Sequence, residues 1–256
     1  FAFKNACFNG HLRVAQWLLR TKPDIIGVRT DNEFAFTGAC YRGHLRVARW
    51  LLRVKPDIDV GAVNKLAFRR TCVNGHLRTA QWLLRAKPDL DVSANDECAF
   101  KYACHNGHLR VAQWLIRVKS DIDVSSNNEC AFRWTCCFGH LRVAKWLLRA
   151  NPDIDVSADN EFAFRYACVN GHLRVAKWLL QVKPDIDVSA DNKLAFRGAC
   201  CRGHLRVAQW LLRVKPNMSV GSDNEFAFRF ACHNNNLRVA QWLLRAKPYI
   251  GVGVAV

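Results

Sequence analysis

The chain has 256 residues, half of them hydrophobic, with a formal charge of +17 and 12 cysteines. That apolar content excludes a disordered chain, and apolar runs broken by Arg every few residues exclude a transmembrane helix. A charge this high favours anionic partners.

The opening segment, "FAFKNACFNGHLRVAQWLLR", sets a pattern that recurs to the end. "GHLR" begins at Gly10, Gly43, Gly75, Gly107, Gly139, Gly171 and Gly203, and a degenerate "NNLR" begins at Asn235. The first interval is 33 residues and the rest are 32. A fixed period of this size marks stacked repeats. The expected repeats are 1–30, 31–62, 63–94, 95–126, 127–158, 159–190, 191–222 and 223–256, one array with no linker. The first residues do not read as a signal peptide. The opening at Phe1, in mid-repeat and without a Met, and the apolar close "YIGVGVAV" point to an array that is part of a longer protein or is covered at its ends.

Each repeat reads as helix, turn, helix, loop. Over 163–170, Phe164, Ala167 and Cys168 stand at i, i+3 and i+4, which predicts a helix with one buried stripe. Gly171 ends it, because a residue without Cβ tolerates a positive φ. The second helix is expected from Leu173 to Gln181, stopping before Pro184. "DIDVSADNE" carries turn formers and little periodicity, so it reads as a loop or a short β-like hairpin. A first helix of about eight residues is too short to stand alone in water, so stability must come from stacking, with one Trp per repeat supplying buried area. The fold class is therefore all-α: a helix–turn–helix solenoid with loop or β-hairpin connections and eight stacked repeats.

In the sixth repeat "FAFRYA" (Phe162 to Ala167) is followed by "GH" (Gly171, His172) and "LL" (Leu179, Leu180). This unit resembles the ankyrin repeat. Ala replaces Pro at the start of the first helix, Lys-Pro replaces Gly-Ala after the second, and the period is one residue short. The variant is similar to arrays that large DNA viruses of amoebae and some protists carry in many copies. The resemblance implies a scaffold that binds proteins through a concave face, made from one edge of the first helices with the loop tips. It also implies, for a viral protein, a place in the host cytoplasm or the virion.

Eight cysteines recur in register: Cys7, Cys40, Cys72, Cys104, Cys136, Cys168, Cys200 and Cys232. They occupy a small buried position, and stacked helices about 8–10 Å apart hold them too far apart for disulfides. Reduced thiols imply an intracellular compartment, cytoplasmic or nuclear. All but Cys232 have a His four residues on, but one Cys and one His per repeat is two ligands short of a closed zinc site. No metal or other cofactor is expected, and the His edge is read as bonding turn backbone. No residue stands out as a nucleophile or base, and no phosphate loop or HExxH is present, so the chain is not read as an enzyme.

All 21 acids fall in the connecting segments, and the bases fall mostly on the helices. The outward positions of each second helix are i, i+3 and i+7. The first is always Arg: Arg13, Arg46, Arg78, Arg110, Arg142, Arg174, Arg206 and Arg238. With Arg49, Lys145, Lys177 and the seven Arg at the third position, the outer helices carry eighteen bases and no acid. An Arg in the first turn opposes the helix dipole, so local physics does not account for it. The ladder suggests either a surface for nucleic acid, ribonucleoprotein or another anionic partner, or one residue copied by duplication.

Comparison between repeats separates scaffold from surface. The varying first-helix positions place Tyr102, His105, Trp134, Phe138 and Tyr166 in successive repeats, flanked by Arg133, Arg165 and Arg197. These residues are the expected concave contact surface for a protein partner, with Trp134 foremost. The competing account is that the rings pack between repeats. A third reading is self-assembly, the acidic loop edge of one array meeting the basic helices of another.

Overall fold

The structure is a computed structural model that describes residues 1–22, 29–56, 58, 62–92, 94–216 and 221–246, with side chains except at 29–32, 62–65, 94–97, 192 and 221–225. The closing "YIGVGVAV" lies outside the described residues. Sixteen helices and no strand are found among them. First helices are α1 Ala2–Phe8, α3 Arg29–Tyr41, α5 Ala62–Val73, α7 Ala94–His105, α9 Ser126–Cys137, α11 Ala158–Val169, α13 Ala190–Cys201 and α15 Gly221–His233. Second helices are α2 Leu12–Thr21, α4 Leu45–Val54, α6 Leu77–Ala86, α8 Leu109–Val118, α10 Leu141–Ala150, α12 Leu173–Val182, α14 Leu205–Val214 and α16 Leu237–Ala246. None is long and apolar enough to cross a membrane.

The chain gathers into two compact halves, Phe1–Asp123 and Val124–Val256, and each is a helical-repeat stack in its own right. In the N-terminal half the first helices pack in the order α1, α3, α5, α7; in the C-terminal half the order is α9, α11, α13, α15. Each second helix lies on the first helix of its own repeat. This arrangement follows from the stripe pattern. Phe36, Phe100, Phe132, Phe164 and Phe196 and the register leucines Leu51, Leu83, Leu115, Leu147, Leu179, Leu211 and Leu243 are fully buried.

Five register tryptophans, Trp50, Trp82, Trp114, Trp178 and Trp210, are half-buried and pack on the Phe of the preceding repeat. Ring centroids are 6.2 Å apart for Phe3–Trp50, 6.3 Å for Phe36–Trp82 and 6.1 Å for Phe68–Trp114. In the C-terminal half the spacing is 6.3 Å for Phe132–Trp178 and 6.2 Å for Phe164–Trp210. The Trp is thus a joint between repeats rather than part of one repeat's core. Trp17, which has no such Phe, is 61% exposed.

The loop alternative holds for the connections, with one difference from expectation. Asp159, Asn160 and Glu161 have φ of 58°, 54° and 62°, and Asn127, Asn128 and Glu129 have 55°, 54° and 60°. Each triplet is a left-handed turn fused to the start of a right-handed helix. The amide of Glu161 donates to Ser157 O at 2.9 Å, and that of Glu129 to Ser125 O at 3.0 Å. Asn and Asp enter this region at lower cost than other L-residues, whereas Glu there costs about 1–2 kcal/mol and must be held. The "DNE" acids therefore belong to structured turns.

Candidate interaction surfaces

In the C-terminal half the varying positions of α9 and α11 build a contiguous ring cluster. Trp134 stacks on Phe138 with centroids 5.9 Å apart and meets Phe162 edge-on at 5.3 Å. Phe162 stacks in turn on Tyr166 at 4.3 Å, four residues further along the same helix face. Trp134 is 37% and Phe138 42% exposed, while Phe162 and Tyr166 are half-buried, so the cluster keeps an open apolar face. Tyr102 is 46% exposed in the N-terminal half, with the half-buried His105 ring 5.8 Å away. Phe162 is the member that sequence comparison missed. Its position varies between repeats (Phe34, Leu66, Cys98, Cys130, Phe162, Leu194), but the expected helix starts one residue later, at 163, whereas α11 already includes it.

Packing between repeats accounts for other varying positions. Phe8 stacks on Tyr41 at 6.1 Å, with the Arg42 guanidinium 4.6 Å from the Phe8 ring. Cys137 and Val169 are buried, and a Cβ at Gly198 would lie 2.5 Å from Val169. Gly198 is therefore matched to Val169 in the preceding repeat.

Arg165 requires a correction as an exposed flank of the ring cluster. It is 6% exposed and works as a clamp: one guanidinium nitrogen pairs with Asp191 of the next repeat, and the other donates to Asp159 O in its own left-handed turn at 3.0 Å. Arg133 repeats the arrangement, pairing with Asp159 and donating to Asn127 O at 3.3 Å, with its guanidinium 5.0 Å from the Phe162 ring. Arg197 is half-buried, 3.7 Å from the Phe226 ring centroid. A guanidinium suits this task because its planar fork reaches two acceptors at once. The clamps hold the turns that carry the rings.

The "GH" turns form a second seam between repeats. Gly139 and Gly171 both have φ of +82°, and a Cβ on them would lie 2.4 Å from His172 Nδ1 and 2.6 Å from His204 Nδ1. Gly10, Gly43 and Gly75 stand in the same way against His44, His76 and His108. Each Gly is needed twice, for its left-handed backbone and for the imidazole pressed on it. The expected His-to-backbone bond is present at His76, but it runs to Tyr41 of the preceding repeat. Asn side chains stitch the same seam, Asn106 donating to Val73 O at 2.8 Å and Asn170 to Cys137 O at 2.8 Å.

Burial lowers the pKa of His44, His76, His172 and His204 below the ordinary 6.5. Neighbouring cations lower it further: His108 and His44 for His76, His140 and His204 for His172, Arg42 and His11 for His44, and Arg202 for His204. The unfolded chain therefore takes up protons first as the pH falls. Stability is complete above pH 6.5 and is lost as pH drops through the depressed folded-state values. Urea midpoints measured down from neutral pH should fall over this window. The fall should be smaller in His172→Asn, because Asn236 already fills the equivalent place against Gly203. An equal fall in that variant would remove His172 from the account.

Seven of the register thiols are buried, and burial pushes the Cys7 thiol up to about 12 and raises the others from Cys40 to Cys200. Cys232 differs from the expectation and is exposed, because no further first helix among the described residues lies over it. Among the described residues, no three His, Cys, Asp or Glu side chains gather as metal ligands would.

On the second helices all eight first-position arginines, Arg13, Arg46, Arg78, Arg110, Arg142, Arg174, Arg206 and Arg238, are exposed. So are Arg20, Arg53, Arg85, Arg117, Arg149, Arg213 and Arg245, with Arg49, Lys145 and Lys177 between them. None of these bases forms an ion pair or hydrogen bond among the described residues, and Arg49 alone rests on a ring, 6.0 Å from that of Trp82.

A search of curated proteins returns no match to the sequence. The family signature described as ankyrin repeats (3 copies) matches four overlapping stretches, residues 3–96, 67–160, 100–192 and 164–252. These span nearly the whole chain and coincide with the helix pairs and glycine turns described above, and the chain belongs to the ankyrin-repeat family.

Proposed function

We propose that the chain is a recognition scaffold whose C-terminal half grips a protein partner with the ring cluster of Trp134, Phe138, Phe162 and Tyr166. Ankyrin repeats generally mediate protein–protein interaction and are typically non-catalytic. The observation that carries the reading is the exposed, self-supporting ring cluster, held from behind by the Arg133 and Arg165 clamps. Interface hot spots are rigid aromatic anchors of this kind, because little side-chain entropy is lost on docking. Tyr102 and His105 add a contact on the N-terminal half. The buried thiols support a reducing, intracellular setting.

A photo-crosslinking residue at position 138 should trap the partner, where the same residue at position 142 does not. Trp134→Ala should then weaken capture by roughly tenfold or more. Its thermal midpoint should stay close to that of the parent, since the ring is already partly in water. Intact capture with a lowered midpoint would make the cluster a packing feature and defeat the reading.

A further inference from the structure

We infer that the outer helices form a docking surface for double-stranded DNA, read through its phosphate backbone. The surface is separate from the ring cluster. Each half carries nine of the eighteen bases, four of them the first-position arginines in successive repeats. Within a half the rungs recur once per helix-packing distance, about 8–10 Å. A duplex strand rises about 3.4 Å per phosphate, so one rung serves two to three phosphates and four rungs follow somewhat less than a helical turn.

Among the described residues no acid pairs with this face. Asp159 is engaged with Arg133, Asp191 with Arg165, Asp91 with Lys119, and Asp187 with Ser189 and Lys215, all along the connecting segments. No second helix from α2 to α16 has an acid in its first turn. The arginines there oppose the helix dipole and find no partner among the described residues, so local helix physics does not explain them.

The chemistry of the face selects among anionic partners. Between the outer rungs stand Gln16, Arg49, Gln81, Gln113, Lys145, Lys177, Gln209 and Gln241, each able to donate a hydrogen bond and none negatively charged. In the inner repeats the apolar anchors at the centre of protein interfaces are missing: there the exposed large apolar side chains of second helices are the last-residue valines Val54, Val118, Val182 and Val214, whereas the first and last repeats expose Val14, Trp17, Leu237 and Leu244. A single strand is held by exposed stacking rings, and apart from the exposed Trp17 the rings Trp50, Trp82, Trp114, Trp178 and Trp210 are turned onto the preceding repeat's Phe. What remains is a rigid row of cations suited to a rigid row of phosphates.

The test is fluorescence anisotropy on the full chain with a fluorescein-labelled DNA duplex of arbitrary sequence, about two helical turns long. Affinity should fall by about a thousandfold between roughly 50 and 200 mM salt, whatever the sequence. Replacing Arg142, Arg174, Arg206 and Arg238 together by Gln should lower the log–log salt slope by about four. The urea midpoint and partner capture through Trp134 should be unchanged in that variant, so this inference and the protein-binding reading fail separately. An unaltered slope would overturn the inference. So would equal binding of polyglutamate at matched charge, retention by phosphatidylserine vesicles without binding to the duplex, tighter binding of single strands or of duplex RNA, or scattering that shows the bases spent on a second copy of the chain.

Discussion

Replacing Gly139 by Ala is expected to destabilise the C-terminal half by about 3 kcal/mol. Two costs combine. An L-residue at φ +82° gives up about 1–2 kcal/mol to the clash between its Cβ and its own backbone. The new methyl would also stand 2.4 Å from His172 Nδ1 and 2.7 Å from its Cγ, so the base of the ring as well as its edge would have to shift. Forced displacement of a packed side chain costs about 1–3 kcal/mol more. A double-mutant cycle in urea separates the two terms. With His172 already changed to Ala, the Gly139 substitution should cost only the backbone part, leaving a coupling of about 1–2 kcal/mol. Identical costs with and without His172 would show that the imidazole does not press on the turn.

Arg165→Ala should cost about 2–3 kcal/mol through loss of charge-assisted bonds inside the stack. The bond to Asp159 O counts for more than the pair with Asp191, because Asp191 is half-exposed and its attraction is screened by water. Asp191→Ala is accordingly expected to cost under about 1 kcal/mol. Arg165→Lys should restore only a minor part of the loss, since an ammonium cannot span both acceptors as the planar fork does. Amide exchange supplies the diagnostic readout. Glu161 N–H is protected by Ser157 O only while the left-handed turn persists, so it should exchange faster in Arg165→Ala than amides of α12 do. An unchanged rate would mean that the clamp does not hold the turn. Because Phe162 opens the helix that follows this turn, the same variant should weaken partner capture without touching a ring.

Much of the architecture was legible before any coordinates. The helix pairs, the left-handed glycine and the buried Cys column follow from spacing and from the few residues that satisfy each position. Burial of Cys7, Cys40, Cys72 and the others through Cys200 agrees with that reading, and only Cys232 departs from it. At the varying positions Trp134, Phe138 and Tyr102 are exposed, whereas Arg165 is turned inward. An Arg beside aromatic residues looks the same in sequence whether it faces a partner or its own backbone. Its acceptors, Asp159 O and Asp191, lie 6 and 26 residues away, beyond the reach of helical spacing rules.

The sequence by itself determined the repeat, its helix–turn–helix content, its cysteine register and the segregation of bases onto the second helices. All of these depend on periods of three to four residues or on the 32-residue copy, and both are visible along the chain. Only the tertiary structure decided what passes between neighbouring repeats: Phe to the next Trp, Gly to the next His, Arg to the next Asp, and Phe162 to Trp134. These contacts join residues from neighbouring repeats, far beyond the reach of helical spacing, where backbone geometry rather than local preference sets which side chains meet. The left-handed Asp-Asn-Glu turn belongs with them, because a conformation disfavoured by its own residues persists only where packing and the arginine clamp hold it.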